Sequence, residues 1–460
     1  MNTFLGPRID IKRALAASAG LIVALSFGAC GGGDSGGGDG PGSQELSLVI
    51  GNSLPLSGGS RELGESGEKA SQVAVEQINP AADSAGADHT IRVVNEDQGE
   101  NSEAAVDSAR NLVNTAGATC LIGPWSTEGV GQVAHDVAIP NKAVEISPVA
   151  TDDEVTELND KDLVVSTALP VSMEGEGLSK AIEQALGGAQ GGTVNVAASN
   201  DTYGDTVTQD FIEAWQGDDG TVGGQVVLAP PPLSDSSSDS DGTFSGSSGS
   251  SSVYSAQASE IASGSPDAIL LVDDPAGFAL LAPSLESSFG WDPETAWGSD
   301  QLLVPGLPDE LGSEAIDGMR VLAPGAPKGE EATSAFVREF KSASPRRVKL
   351  APYAAQEFDA TMLCYLSAVA AGSTDGEKMA NELIDITAPG GEPFTWQQLP
   401  DAINALEEGK DIDYNGASGP IDMDVHGNPT TGVFDVYQYT SGGLEAVDEV
   451  EVSKPNPATP

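Results

Sequence analysis

The chain has 460 residues, 70 of them acidic and 20 basic, for a net charge of −50 at pH 7. That imbalance excludes nucleic acid as a partner, since such binding depends on Lys and Arg neutralising phosphates, and it repels anionic membrane headgroups. The length allows two lobes with separate cores, and a heavily hydrated surface accounts for the acid excess more simply than an acidic functional patch.

At the start of the chain, Arg8, Lys12 and Arg13 lead into an apolar run from Ala14 to Phe27, followed by Gly28, Ala29 and Cys30. This order predicts a secretory signal over 1–29, too short and wrongly flanked for a transmembrane helix. Cys30 is then the lipidation site of an anchored protein, although Phe27 stands where an aliphatic residue is usual. An ordinary signal with an incidental cysteine is the simpler alternative. Residues 30–45, rich in Gly and Ser, predict a flexible tether. The expected location is outside the cytoplasm, held to the cell membrane by lipid on Cys30.

From Leu46 the chain alternates strand and helix patterns. Strands are expected at Leu46 to Leu54, Thr90 to Asn95, Thr119 to Ile122 and Ala143 to Ile146. Helices fall between them, at Glu65 to Ile78, Ser102 to Val113 and through Val130, Val133 and Val137. Repeated βαβ units predict a parallel sheet covered on both faces. The pattern restarts after Asp162, with strands at Val164 to Thr167, Thr193 to Ala198, Gly224 to Leu228, Ala268 to Val272 and Met319 to Leu322. Helices are expected there at Gly177 to Ala185 and Val207 to Trp215. Helices follow at Glu331 to Phe340, Glu357 to Ala371, Glu377 to Ile386 and Trp396 to Leu406. Asp411 to Pro420 reads as turns and Val433 to Tyr439 as a strand.

The fold class is therefore α/β, with two doubly wound parallel-sheet lobes joined by a multi-strand hinge. Its parts are a first portion of lobe one (46–167), lobe two (168–324), a return to lobe one (325–430), a final strand in lobe two (431–450) and a loose tail (451–460). A Ser/Asp/Gly insertion at 234–252 cannot bury enough apolar surface to offset its ordering entropy and reads as disordered. Cys120 and Cys364 both lie in apolar runs, as two buried thiols or as a disulfide. His89, His135 and His426 lack the paired spacing of zinc ligands, so neither metal nor cofactor is expected.

Several segments, in order, resemble the branched-chain amino acid type of ABC-transporter substrate-binding lipoprotein, the leucine-binding-protein-like family. They are Leu54-Pro55-Leu56-Ser57-Gly58, Ile122-Gly123-Pro124-Trp125-Ser126-Thr127, Ile146-Ser147-Pro148-Val149-Ala150-Thr151, Asp201-Thr202-Tyr203-Gly204-Asp205 and Gly416-Ala417-Ser418-Gly419-Pro420. The likeness runs from about Leu46 to Tyr439 and implies the type I periplasmic-binding fold. It also implies that Thr127, Val149 and Thr151 grip a ligand carboxylate, Val149 through its backbone, and that Tyr203 covers the ligand. Asp300 would face the ligand ammonium, with Asp273 and Asp274 competing for that role or lining the cleft mouth.

Each residue also has a plainer reading. Ser126 and Thr127 open a helix and can cap it, though the same helix start offers N–H groups to an anion. Asp201 or Thr202 can cap the helix that begins near Tyr203, and Asp300 can be a solvated loop residue. The chain departs from some relatives in having no cysteine pair around Phe394 and Leu399, in its Ser-rich insertion, and in Asp300 where glutamate is common.

The chain shows no Gly-x-Ser-x-Gly elbow, paired-histidine motif or phosphate loop, so no enzyme is expected. The expected function is binding of a small polar solute, an amino acid above all, by a monomer that closes about its hinge and delivers the solute to an ABC permease. A sensor of the same fold, signalling to a membrane partner, is the alternative.

Overall fold

Alternation of apolar residues in Leu46–Leu54 (β1) and His89–Asp97 (β2), and short buried runs in Cys120–Ile122 (β3), Val144–Ser147 (β4) and Val164–Ser166 (β5), set up the first sheet. In the computed structural model, which describes residues 45–99, 101–149, 158, 160–229, 251–288, 290–344, 348–441 and 443–454, these strands pair in the order β2-β1-β3-β4-β5, all parallel. Cys30 with its signal and tether, Thr151, the insertion through residue 250 and the chain beyond 454 lie outside the described residues. Among the described residues, no helix is long and apolar enough to cross a membrane.

One face of this sheet is covered by the helix Arg61–Ala85 (α1), the other by Ser102–Asn111 (α2) and Thr127–Val133 (α3). Sequence patterning ends the first helix at Ile78, its last periodic apolar position. In the structure the helix carries Pro80 inside it and ends at Gly86, in the left-handed conformation.

The second sheet begins with Thr193–Ala198 (β6), Thr221–Val227 (β7), Ala268–Val272 (β8), Ala296–Gly298 (β9) and Arg320–Pro324 (β10), parallel in the order β7-β6-β8-β9-β10. Helices Val171–Leu186 (α4) and Thr202–Gly217 (α5) cover one face, and Ser251–Ile261 (α6) with Pro275–Glu286 (α7) cover the other.

After β10 the chain returns to the first lobe as Glu331–Ala343 (α8), Ala354–Ala370 (α9), Gly376–Leu383 (α10) and Leu399–Glu407 (α11). Every residue of α9 from Ala354 to Val369 is buried, and the helix packs its length against α1 and the sheet. Cys364 on α9 is disulfide-bonded to Cys120 on β3, across 244 residues of sequence. Of the two readings open for these cysteines, the structure has the bond.

Glu392–Thr395 (β11), between two expected helices, and Ile412–Asn415 (β12), in the stretch expected to be turns, form a small parallel pair. The chain then crosses to the second sheet as Thr431–Thr440 (β13), antiparallel to β10, and turns back as Gly443–Ser453 (β14). Sequence reading expects one final strand to 450 and a tail from 451. The structure has a hairpin instead, whose second strand buries only Val450 and Val452 against a run of exposed acids.

The chain passes between the lobes after β5, after β10 and before β13. The buried Gln356 at the start of α9 ties two of these crossings together. Its side-chain amide donates to the Gly325 carbonyl at 2.6 Å, and its own carbonyl accepts from the Thr167 hydroxyl at 3.0 Å.

Candidate functional site

In each lobe the first strand has its sequence neighbours on opposite sides, with order 2-1-3-4-5 in both sheets. The loops that leave the carboxyl ends of strands one and three therefore diverge, and the crevice between them is where open α/β sheets bind ligands. In the first lobe this point is flanked by β1 and β3, and in the second by β6 and β8.

The turn after β3 is built from Gly123 to Ser126. Gly123 has φ 82°, and an added Cβ would run into the Ser53 carbonyl oxygen, so glycine is required there. Ser126 is exposed and caps α3, its hydroxyl accepting from the Gly129 N–H at 3.3 Å. Thr127, half-buried, is the first residue of that helix. The turn after β4 lies alongside, since Ile122 and Ile146 are register partners and the Gly123 N–H reaches the Ile146 carbonyl at 3.0 Å. In that turn the Val149 N–H donates to the Ser147 hydroxyl at 3.3 Å. Thr127 and Val149 are thus brought to one end of the sheet, while Thr151 lies outside the described residues.

Trp125 sits between these turns and the returning segment. Its N–H donates to Gln98 Oε1 at 2.7 Å and its indole N–H to Glu357 Oε2 at 3.2 Å. Glu357 is fully buried, and its Oε1 accepts from Asn52 at 2.8 Å and from the Ser71 hydroxyl. Burial pushes this carboxyl up to about 7, against the pull of its three donors. The Trp125 ring meets the edge of Tyr353 with centroids 6.1 Å apart. Tyr353, a bulky residue in the left-handed region at φ 65°, projects from the start of α9 into the core of the second lobe beside Leu302, Leu303 and Leu307. Such a conformation costs on the order of 1–3 kcal/mol and persists where surrounding packing fixes it.

The second lobe's wall is acidic. Tyr203, the second residue of α5, is positioned by Asp201, whose side chain accepts from the Gly204 N–H at 2.7 Å and caps the helix. The Tyr203 hydroxyl lies 2.7 Å from Asp300 Oδ1 and 3.0 Å from Glu174 Oε2. Asp300 opens a single 3₁₀ turn just past β9 and is buried rather than solvated. Its N–H donates to Glu174 Oε1 at 2.7 Å. Glu174, fully buried in the first turn of α4, is pushed well above the ordinary range by burial and then by the Asp300 charge. Burial and then the Asp300 charge raise the Tyr353 phenol, so the first lobe's tyrosine lies within the field of the second lobe's acidic wall.

Asp274 spends its carboxylate as the cap of α7, accepting from the Gly277 N–H at 2.8 Å. Its neighbour Asp273 is buried and pushed up to about 7 by burial and by Asp274. The structure therefore brings Tyr203 and Asp300 into direct contact and gives Asp274 a local task. It adds Trp125, Tyr353, Glu174 and Glu357, which sequence reasoning did not single out. A glutamate at 174 in line with Leu178 and Ala181 on the buried stripe of α4 was the available signal.

Among the described residues, the larger cavities flank the crossings rather than the acid cluster itself. One of about 790 Å³ is bordered by Tyr353, Gln356, Tyr437 and Leu444, and one of about 1050 Å³ by Phe394, Gln398, Pro420 and Val433. Of the two, only the first touches the cluster's surroundings, through Tyr353. Chemically, the first lobe offers hydroxyls and a helix start to an anion, and the second offers a carboxylate and a phenol to a cation. Among the described residues, no cluster of three or more His, Cys, Asp or Glu is arranged to hold a metal ion.

A family model described as "Periplasmic binding protein" matches residues 47–443. The fold is similar to that of a leucine binding protein, LivK, from Thermotoga maritima, at 21% identity and a TM-score of 0.61, covering 88% of this chain and 98% of that one. It is also similar to an ABC-transporter solute binding protein from R. palustris in complex with benzoate, at 18% identity and a TM-score of 0.58, covering 90% and 98%. In sequence, 154 residues are 26% identical to a chemotactic signal transduction system substrate-binding protein, BasB, of Halobacterium salinarum. That match covers 30% of this chain and spans 37% of the relative's length.

Proposed function

The chain belongs to the periplasmic binding protein family, whose fold is that of solute-binding proteins acting outside the cytoplasm, and on that premise we propose that it captures an amino acid for an ABC permease. The observation that carries the solute class is the contact of Tyr203 with Asp300, backed by Glu174, on the wall facing the first lobe. A carboxylate and a phenol in a buried wall suit an ammonium group through charge-assisted hydrogen bonds. Opposite it, the helix start at Ser126 and Thr127 and the turn at Val149 suit a carboxylate, with Thr151 as a further hydroxyl. Leucine and benzoate, bound by the proteins named above, share a carboxylate. The acidic wall of this chain favours the solute that also carries an amine.

In this reading the solute docks on lobe one, and lobe two closes over it with Tyr203 and Asp300 by rotation about the three crossings. The protein works as a monomer held at the membrane by lipid on Cys30, with no cofactor. A second reading, presentation of the solute to a chemotaxis partner, is supported by the Halobacterium salinarum relative. Both readings share the same ligand site.

A thermal-shift screen against amino acids, small amides, peptides and sugars tests the proposal. A ligand that binds only the folded state stabilises it by about 2.7 kcal/mol at a hundredfold excess over its dissociation constant. The expected outcome is a rise in melting temperature with an amino acid. A response confined to sugars or to amine-free acids would remove the amino acid assignment.

A further inference from the structure

Tyr203 has one hydroxyl proton and two carboxyl neighbours, Asp300 Oδ1 at 2.7 Å and Glu174 Oε2 at 3.0 Å. An ionised carboxylate can only accept hydrogen bonds. The phenol can make one full hydrogen bond to an ionised acid, and a second full bond forms when the other acid carries a proton and donates it. The contact to Asp300 is the shorter, at the length of a phenol donating to a charged acceptor. Glu174 is the deeper group, 1% exposed against 9% for Asp300, and ionising it would set two negative charges on one hydroxyl away from water.

We propose that Glu174 carries a proton in the folded protein and donates it to Tyr203, which donates its own to Asp300. The second lobe then presents one negative charge to the cleft, at Asp300. The surroundings agree with this assignment. Tyr203 faces Glu174 from α5, Asp300 from the turn after β9 and Tyr353 from the first lobe, and both phenols are raised, so they stay protonated at neutral pH. From β10 and β13 the helix meets the apolar Leu322 and Phe434 beside Gly177. β14 meets it further on, through Lys180 and Gln184, and Lys180 is paired with Glu176. Glu174 is thereby a positioning residue: it fixes the Tyr203 hydroxyl and, through its other oxygen, the Asp300 backbone.

The inference rests on the proposed function only in taking the Asp300 charge as the solute's counter-charge. Its test needs no solute, so a failed solute screen and a failed charge assignment are told apart. The melting temperatures of the protein and of Glu174→Gln are compared from roughly pH 5 to pH 8. Glutamine keeps the shape of the protonated acid and a donor toward Tyr203. The variant should melt no lower than the parent at neutral pH, with an advantage that grows as pH rises, because only the unfolded parent ionises at position 174. An advantage that is flat or shrinks with pH overturns the proposal.

An infrared measurement serves as the second readout. At neutral pH the parent should show a protonated-carboxyl C=O band that Tyr203→Phe shifts, since that change removes the acceptor of the Glu174 proton. A carboxyl spectrum unmoved by Tyr203→Phe overturns it as well.

Discussion

Glu357 shows how one buried side chain can couple the turn after β3 to pH. It holds Asn52, Ser71 and the Trp125 indole, and its carboxyl is pushed from an ordinary 4.5 to about 7. A raised acid of this kind contributes stability that is fully present below the unfolded value and lost as pH rises through about 7. The loss is on the order of 3 kcal/mol between those limits. Glu357→Gln should flatten that part of the profile, with stability measured by urea denaturation at pH 5 and pH 8. An unchanged slope in the variant would mean that Glu357 is not the group responsible. Tyr203 could be named from the sequence because it stands in one of the ordered motifs, and Asp300 because the resemblance places an acidic residue there. Glu357 could not: on a helix buried on every side there is no polar face for a glutamate to interrupt. Tyr353 was hidden for another reason, since its position depends on a left-handed backbone at a non-glycine residue.

At the scale of elements, α9 is the member that makes the first lobe one body. It arrives after the five parallel strands of the second lobe have been threaded, and the Cys120–Cys364 bond fixes it to β3. Replacing both cysteines by serine closes off that link and should destabilise the protein by about 2–5 kcal/mol in denaturant titrations. Equal stability with and without the bond would contradict its role as a staple. The long elements were readable from periodicity, and β6 and β8 fall where patterning places them. The misses have physical causes. β9 is three residues long, β11 and β12 sit among turn-forming residues, and β14 carries exposed acids that look like a solvated tail until β13 offers it a hydrogen-bonding edge.

For the whole molecule, the net charge of −50 sets the energetic background. Like charges on a compact body repel, and the repulsion is screened over about 10 Å at 0.1 M salt but only about 3 Å at 1 M. The melting temperature should therefore rise between those salt concentrations, and a flat response would show that the acid excess costs the fold little. The two-lobed architecture was legible because two sets of βαβ units restart in the sequence. The candidate ligand wall was only half legible, because Glu174 and Tyr353 join it through the packing of separate segments. The central claim, that this wall receives a solute ammonium at Asp300, is tested most directly by titration calorimetry of the parent and Asp300→Asn with the amino acid found by thermal shift. Removing the charge while keeping the side chain's shape should weaken binding roughly 10- to 100-fold, the worth of one charged hydrogen bond. Equal affinity in the two proteins would contradict the account.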